Sequence, residues 1–372
     1  MSALYNSDEN NVDKINPDNL TPPKTSFVDT LHKRLFNTPL DSVITVLCSA
    51  LLFYLLYKII DWAFLSSIWA AADEPQCRDT HGACWSVIDA RHRIIMFGLF
   101  PFEEHWRSTV ACVVMVATII LSCVSWFWTA LRLSLLWLLG FGVFYILMHG
   151  GIFGLSVITP ERWGGLALTI FIFAAVSIIG MPLSVVLALG RRSKLPVIAR
   201  MVGLFIDFFR SLPLLTIIFA AAVITPFVLP GWLQGDKLYR VIAGFAIFFA
   251  CYQAENIRAG LQAIPPGQDE AGLTLGLSYW QRVSRIQLPQ AFRNSLPAIV
   301  NQFVITFKET SIVTIVGFFE ILASGSAAFG TGQWTAHYIE VYVFIGLIYF
   351  IFVFSLSRYG AYLERKLRVG HG

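Results

Sequence analysis

Residues 163–189 read WGGLALTIFIFAAVSIIGMPLSVVLAL. The stretch contains no charged side chain and exceeds the roughly 20 mostly apolar residues that an α-helix needs to cross a bilayer. The rest of the chain points the same way: 56% of its residues are hydrophobic and 13% are charged. Soluble domains run near 45–50% apolar and about 25% charged. A mean hydropathy of +0.66 over 372 residues therefore selects lipid as the solvent of the folded state. The fold class that follows is an all-α polytopic membrane protein.

Eight spans are expected, near 43–65, 107–129, 133–149, 163–189, 199–229, 239–261, 295–319 and 339–362. Orientation follows from basic residues in short loops, which stay on the cytoplasmic side. Arg191, Arg192, Lys194 and Arg200 mark one such turn; Arg282, Arg285 and Arg293 mark a loop at 262–294; Arg358, Arg365, Lys366 and Arg368 mark the C-terminal end. Eight spans with both termini cytoplasmic put all of them, and Lys33–Arg34, on one side. The net charge of +4 is read as this topology signal, not as a nucleic-acid surface, because no basic block is interleaved with aromatics. Trp62, Trp69, Trp106, Trp126, Trp128, Trp163 and Trp232 fall near span ends, as an interfacial belt requires.

Three regions are expected: a polar cytoplasmic tail (1–40), extra N-terminal spans (41–162), and a core (163–372). The tail mixes acids, bases and prolines, and lacks the basic-then-apolar order of a cleavable signal, so the first apolar segment is expected to remain as an anchor. Within the extra spans, the 66–106 loop faces the far side. It holds Cys77 and Cys84, which close a short disulfide loop if that side is oxidising and are otherwise free thiols. Cys48, Cys112, Cys123 and Cys251 lie in apolar spans as packing residues, and no Cys/His spacing has the form of a metal site.

The loop between the sixth and seventh spans carries the most legible chemistry. Gln268, Asp269 and Glu270 load the first turn of a short helix with acids, which the positive dipole end favours. Ala271, Leu273, Thr274 and Leu275 continue it, and Gly276 is placed to end it in a left-handed cap. A second short helix is expected from Tyr279 to about Ile286, with Trp280 and Val283 on one face and Pro289 as its stop. Two short helices meeting at a glycine make a compact knob on the membrane face.

Glu270-Ala271-Gly272, three residues, Gly276, nine residues, then Ile286-Gln287-Leu288-Pro289 resembles the EAA coupling loop of type I ABC importer permeases at every offset. The departure is Gly272, where that family has alanine; the exchange costs about 1 kcal/mol of helix propensity. The flanks Glu255-Asn256-Ile257-Arg258, Lys308-Glu309-Thr310-Ser311 and Phe209-Arg210-Ser211-Leu212-Pro213 are similar to the polar-amino-acid branch, with Ser211 where glycine is usual. The extra spans, with Gly82-Ala83-Cys84-Trp85 and Phe97-Gly98-Leu99-Phe100-Pro101, are similar to the larger permease subunit of glutamate/glutamine/aspartate/asparagine and general L-amino-acid importers.

The resemblance implies a five-span core over 163–362 and a seat on a cytoplasmic ATPase subunit formed by Glu270, Ala271, Gly272, Gly276, Ile286, Leu288 and Pro289. It also implies a bacterial inner-membrane location and three kinds of partner besides the lipid bilayer: a second, homologous permease, which would make a heterodimer, a dimer of ATPase subunits, and a periplasmic amino-acid-binding protein. The chain has no Gly-x-x-x-x-Gly-Lys-[Ser/Thr] loop, so ATP and Mg are expected on the ATPase subunits, with no cofactor on this chain and no enzyme activity of its own.

Ionisable and polar residues inside spans are costly and mark candidate paths. Glu255, Gln302, Lys308, Glu309, Thr310 and Ser311 form the candidate substrate path. Two other readings stay open. Glu255 and Arg258, three apart, can simply pair, as can Asp207 and Arg210; and the stripe from Asn301 and Gln302 to Lys308 and Glu309 can clamp the partner permease. The alternative function is an ion-coupled secondary amino-acid carrier, which would show repeated halves and leave the coupling loop unexplained. A membrane-embedded enzyme would need a nucleophile or metal constellation, and His149, His337 and His371 are scattered.

Overall fold

The computed structural model describes residues 31, 32, 34–70, 77, 81–330 and 334–368, with the side chain of Arg368 undescribed; the tail 1–30, Lys33 and the chain end at 369–372 lie outside it. Two units separate, Met1–Ser67 and Ile68–Gly372. The first holds α1 (Pro39–Ile60), capped by Thr38, whose hydroxyl accepts from the Asp41 amide at 3.1 Å. None of its residues is buried by protein. A helix apolar on every side has only lipid to face.

The second unit holds α2 (Ser86–Phe97), α3 (His105–Ser122), α4 (Ala130–His149), α5 (Gly165–Arg191), α6 (Pro196–Ser211), α7 (Leu214–Val228), α8 (Lys237–Gln262), α9 (Gly267–Thr274), α10 (Tyr279–Arg282), α11 (Leu288–Glu309), α12 (Ile321–Gly330) and α13 (Tyr338–Arg368). α8 is the central post, packed on α5 and α11. Phe245, Phe249, Ala250 and Ala254 are fully enclosed on it. Small residues let these backbones approach. A Cβ on Gly260 would stand 2.9 Å from the Ser295 hydroxyl of α11, so the crossing there admits no larger residue. Trp163, Phe144 and Phe171 cluster where α3 and α4 lean on α5, with the Phe144 and Phe171 rings stacked at 4.8 Å.

Among the described residues six helices are long and apolar enough to cross a membrane, or seven if one bent pair counts as a span. Two expectations change accordingly. Residues 199–229 are not one straight span: α6 and α7 meet at 101°. Pro213 is the cause, because it forces Leu212 out of the helical region to φ −93°, ψ 141°. The 239–261 span is present as α8, but Lys237, Arg240, Glu255 and Arg258 leave it less apolar than the other six. Its surroundings are protein, so lipid compatibility is not demanded of it.

Two segments expected as loops are partly helical. The 66–106 region contains α2, and the gap between the expected spans 295–319 and 339–362 contains α12, which packs on α2. Cys77 and Cys84 are joined by a disulfide, and the Cys84 amide donates to Glu340 Oε1 at the start of α13 at 2.9 Å. Arg107, wholly buried, donates to the Leu147 carbonyl at 2.6 Å and the Ser156 carbonyl at 3.0 Å, holding the loop after α4 against α3.

Candidate functional site

The knob between α8 and α11 is built by local rules. α9 starts after Pro265-Pro266 with Asp269 and Glu270 in its first turn. It ends in a left-handed cap: Gly276 has φ +72°, its amide donates to the Leu273 carbonyl at 2.9 Å, and the Leu277 amide donates to the Gly272 carbonyl at 3.1 Å. Both bonds belong to the Schellman pattern, which satisfies the carbonyls a helix end leaves open. α10 opens with a capping box, Ser278 accepting from the Gln281 amide while the Gln281 side chain accepts from the Ser278 amide at 2.8 Å.

The second helix does not stop at Pro289. A π-turn over Val283–Gln287 joins α10 to α11 in one continuous rod. Proline breaks a regular helix by lacking an amide donor and clashing one turn back; the wider π-turn just before it relieves that conflict. Trp280 and Val283 also part company: the indole is 69% exposed, whereas Val283 is buried.

On the outer surface of the knob stand Glu270, Ala271 and Gly276, with Leu273, Leu275, Tyr279 and Trp280 as exposed apolar neighbours. Ile286 and Leu288 are half-buried, and Pro289 is exposed. Gly272 is buried beneath Arg282. The Asp269 carboxyl is held below the ordinary carboxylate range, first by its hydrogen bond from Arg282. The knob thus presents an exposed acid within a rim of apolar side chains, on a body whose helix ends are capped from within.

The polar residues of the spans separate into two places. Glu255 takes Arg258 at 2.8 Å, Arg191 at 3.1 Å and Arg210 at 3.8 Å, joining the ends of α5, α6 and α8. The Glu255–Arg258 pair is present, but Asp207 pairs with Arg191 at 2.8 Å and not with Arg210. Asn256, next to Glu255 on α8, donates to the Ala298 carbonyl of α11 at 3.4 Å, and Lys308 lies ten residues beyond Ala298, or about 15 Å along α11. There Lys308 and Ser311 line an open groove of about 400 Å³ with Tyr342, Gly346 and Tyr349 of α13. Gln302 is buried, Thr310 is buried with its hydroxyl on the Phe307 carbonyl at 2.7 Å, and Glu309 turns inward, its Oε2 without a hydrogen-bond partner among the described residues. Asn301 and Lys308 thus share an exposed face, while Gln302 and Glu309 share the adjoining inner one.

A wholly buried acid outside the expected set, Glu320, accepts from the amides of Leu322 and Ala323 and from Thr314, at 2.8 to 2.9 Å. In the sequence its only signal is a lone acid in the apolar stretch Ile312–Ala323.

Residues 180–369 match the family model of the binding-protein-dependent transport system inner membrane component. The chain is 37% identical to an inner-membrane amino-acid ABC transporter permease of Escherichia coli (YhdY), over 91% of this chain and 93% of that one. It is 30% identical to a glutamate/glutamine/aspartate/asparagine transport system permease of Rhodobacter capsulatus (BztC), over 92% and 94%. A solved amino acid ABC transporter "with histidines" is 29% identical over 54% of this chain and 92% of that one, at TM-score 0.48. The family match and the near full-length likeness to YhdY, on an all-helical multi-pass chain, show that this protein belongs to the inner-membrane permease components of binding-protein-dependent ABC importers.

Proposed function

We propose that this chain is one permease subunit of an ATP-driven amino-acid importer, and that residues 262–294 couple it to an ATPase subunit. The observation that carries the reading is the knob itself: Glu270 exposed among Leu273, Leu275 and Trp280, on a body whose helix ends are capped from within. The names of the relatives, both amino-acid permeases, support the substrate class. ATP and Mg belong to the ATPase dimer, and a second homologous permease and a periplasmic amino-acid-binding protein complete the assembly.

The cytoplasmic side is the side of the knob. Arg293, at the start of α11, donates to the Leu367 carbonyl near the end of α13, and Lys366 lies 6.0 Å from the Trp128 ring at the α3–α4 turn. Both support a cytoplasmic C-terminus beside the coupling loop. The substrate path is proposed at the other end of α11, where Lys308 and Ser311 face the groove and Gln302, Glu309 and Thr310 stand behind them. Glu255, ringed by three arginines, is read as a latch between helix ends.

The test is Glu270→Arg, assembled with the partner subunits in proteoliposomes. ATP-dependent amino-acid uptake is expected to fall to background while the chain stays in the membrane. Uptake at the wild-type rate would sink the coupling-loop reading, and uptake without ATP would favour an ion-coupled carrier.

A further inference from the structure

One carboxylate oxygen ties the knob to the long helix behind it. Asp269 Oδ1 on α9 accepts from Arg282 Nε at 2.8 Å and from Gln287 Nε2 at 2.8 Å. Arg282 also donates through Nη1 to the Leu277 carbonyl in the glycine turn, at 2.9 Å. Its side chain is 12% exposed. A single guanidinium thus reaches the first short helix and the turn from its place at the end of the second.

Arg282 and Gln287 bracket the π-turn Val283–Gln287. In a regular α-helix, residues five apart point about 140° away from one another. Widening one turn to the i→i+5 pattern brings them toward a common face, so both reach the same oxygen of Asp269. The exchange of alanine for glycine at 272 belongs to the same construction. A Cβ there would meet Arg282 Cδ at 3.0 Å and Ile286 Cδ1 at 3.1 Å, in the space the arginine stem crosses.

We propose that Asp269, Arg282 and Gln287 are positioning residues that lock the coupling knob and α11 into one lever, so that a displacement of the knob reaches the Lys308 end instead of being absorbed at the π-turn. This rests on the reading of 262–294 as the coupling loop. Without the clasp, α9 is joined to α11 mainly through the glycine turn and the weakest stretch of the rod. Pushing on Glu270 then rotates α9 and leaves α11 behind.

The experiment combines hydrogen exchange on the assembled transporter with the ratio of ATP hydrolysed to amino acid imported. Asp269→Ala is expected to raise amide exchange over 283–288 about tenfold, with α5 and α8 unchanged, because local opening sets that rate. The same variant is expected to raise the ATP-to-substrate ratio severalfold. Arg282→Lys keeps the charge, loses the forked contact, and should fall between. If Asp269→Ala fails to assemble, Gln287→Leu, which leaves the Asp269–Arg282 pair in place, should give the same changes in smaller measure. Wild-type exchange would overturn the clasp; raised exchange with a wild-type ratio would overturn the lever. Failure of the coupling-loop reading itself shows separately, as normal transport by Glu270→Arg.

Discussion

At one end of α11 the knob keeps its charges at the surface; at the other, Glu320 is removed from water altogether. Both segments are short, irregular and anchored by one acid, yet they are stabilised differently. The Asp269 side chain is 49% exposed, and its neighbours cap their own helix ends. Glu320 has no solvent to fall back on. It accepts from the first amides of α12, where the helix dipole favours an anion, from Thr314, and from Tyr349 of α13 at 3.3 Å. The backbone beside it also pairs Gly164 and Gly165 with Phe319 and Glu320. An exposed acid such as Glu270 is free to serve a partner, whereas Asp269, held by Arg282 and Gln287, serves the knob from its half-exposed place. A buried acid serves the fold, because its removal leaves several donors without acceptors.

Substitutions at the two ends test that contrast. Glu320→Ala should cost most, about 3 kcal/mol, because an unsatisfied buried donor costs about 1–3 kcal/mol. It reads as a clear fall in the melting temperature of the detergent-solubilised protein, with Glu320→Gln in between. An unchanged melting temperature would mean that water replaces the carboxylate, and the contrast would fail. Next comes Glu255→Gln, which leaves Arg191 and Arg258 facing each other across a site where Glu255 is 14% exposed. About 2 kcal/mol is expected, below the 3–5 of a fully buried pair, with the melting temperature again the readout.

Trp280→Ala should leave the melting temperature alone and weaken capture of an ATPase subunit about tenfold, since exposed aromatics act as interface anchors. Equal capture would remove the apolar rim from the docking surface. The smallest effect belongs to Gly272→Ala. Its gain of about 1 kcal/mol in helix propensity is offset by the crowding of Arg282, so the net change in melting should be near zero. A clear rise would show that the arginine stem moves aside freely.

Much of the knob was legible because its rules are local. Acids in a first turn and a glycine at a left-handed cap act over a few residues, and the offsets state them. The continuation through Pro289 was not legible, because the π-turn is held by contacts from Arg282 and Gln287 to Asp269, 13 and 18 residues upstream in the chain. Asp207 and Arg210 show the same limit. Spacing made them neighbours, but the fold gave Asp207 to Arg191 of another helix.

The sequence by itself determined that the chain lives in a bilayer, where its apolar helices run, and where a polar knob with Glu270 at its surface stands between two of them. Hydrophobic length and short-range capping fix those features wherever the rest of the chain goes. Only the tertiary structure decided which charges share a partner, that α8 survives its charges because protein surrounds it, and that Glu320 is the most enclosed acid near α11. Those outcomes depend on which helices meet, and burial is a property of the meeting, not of any single segment.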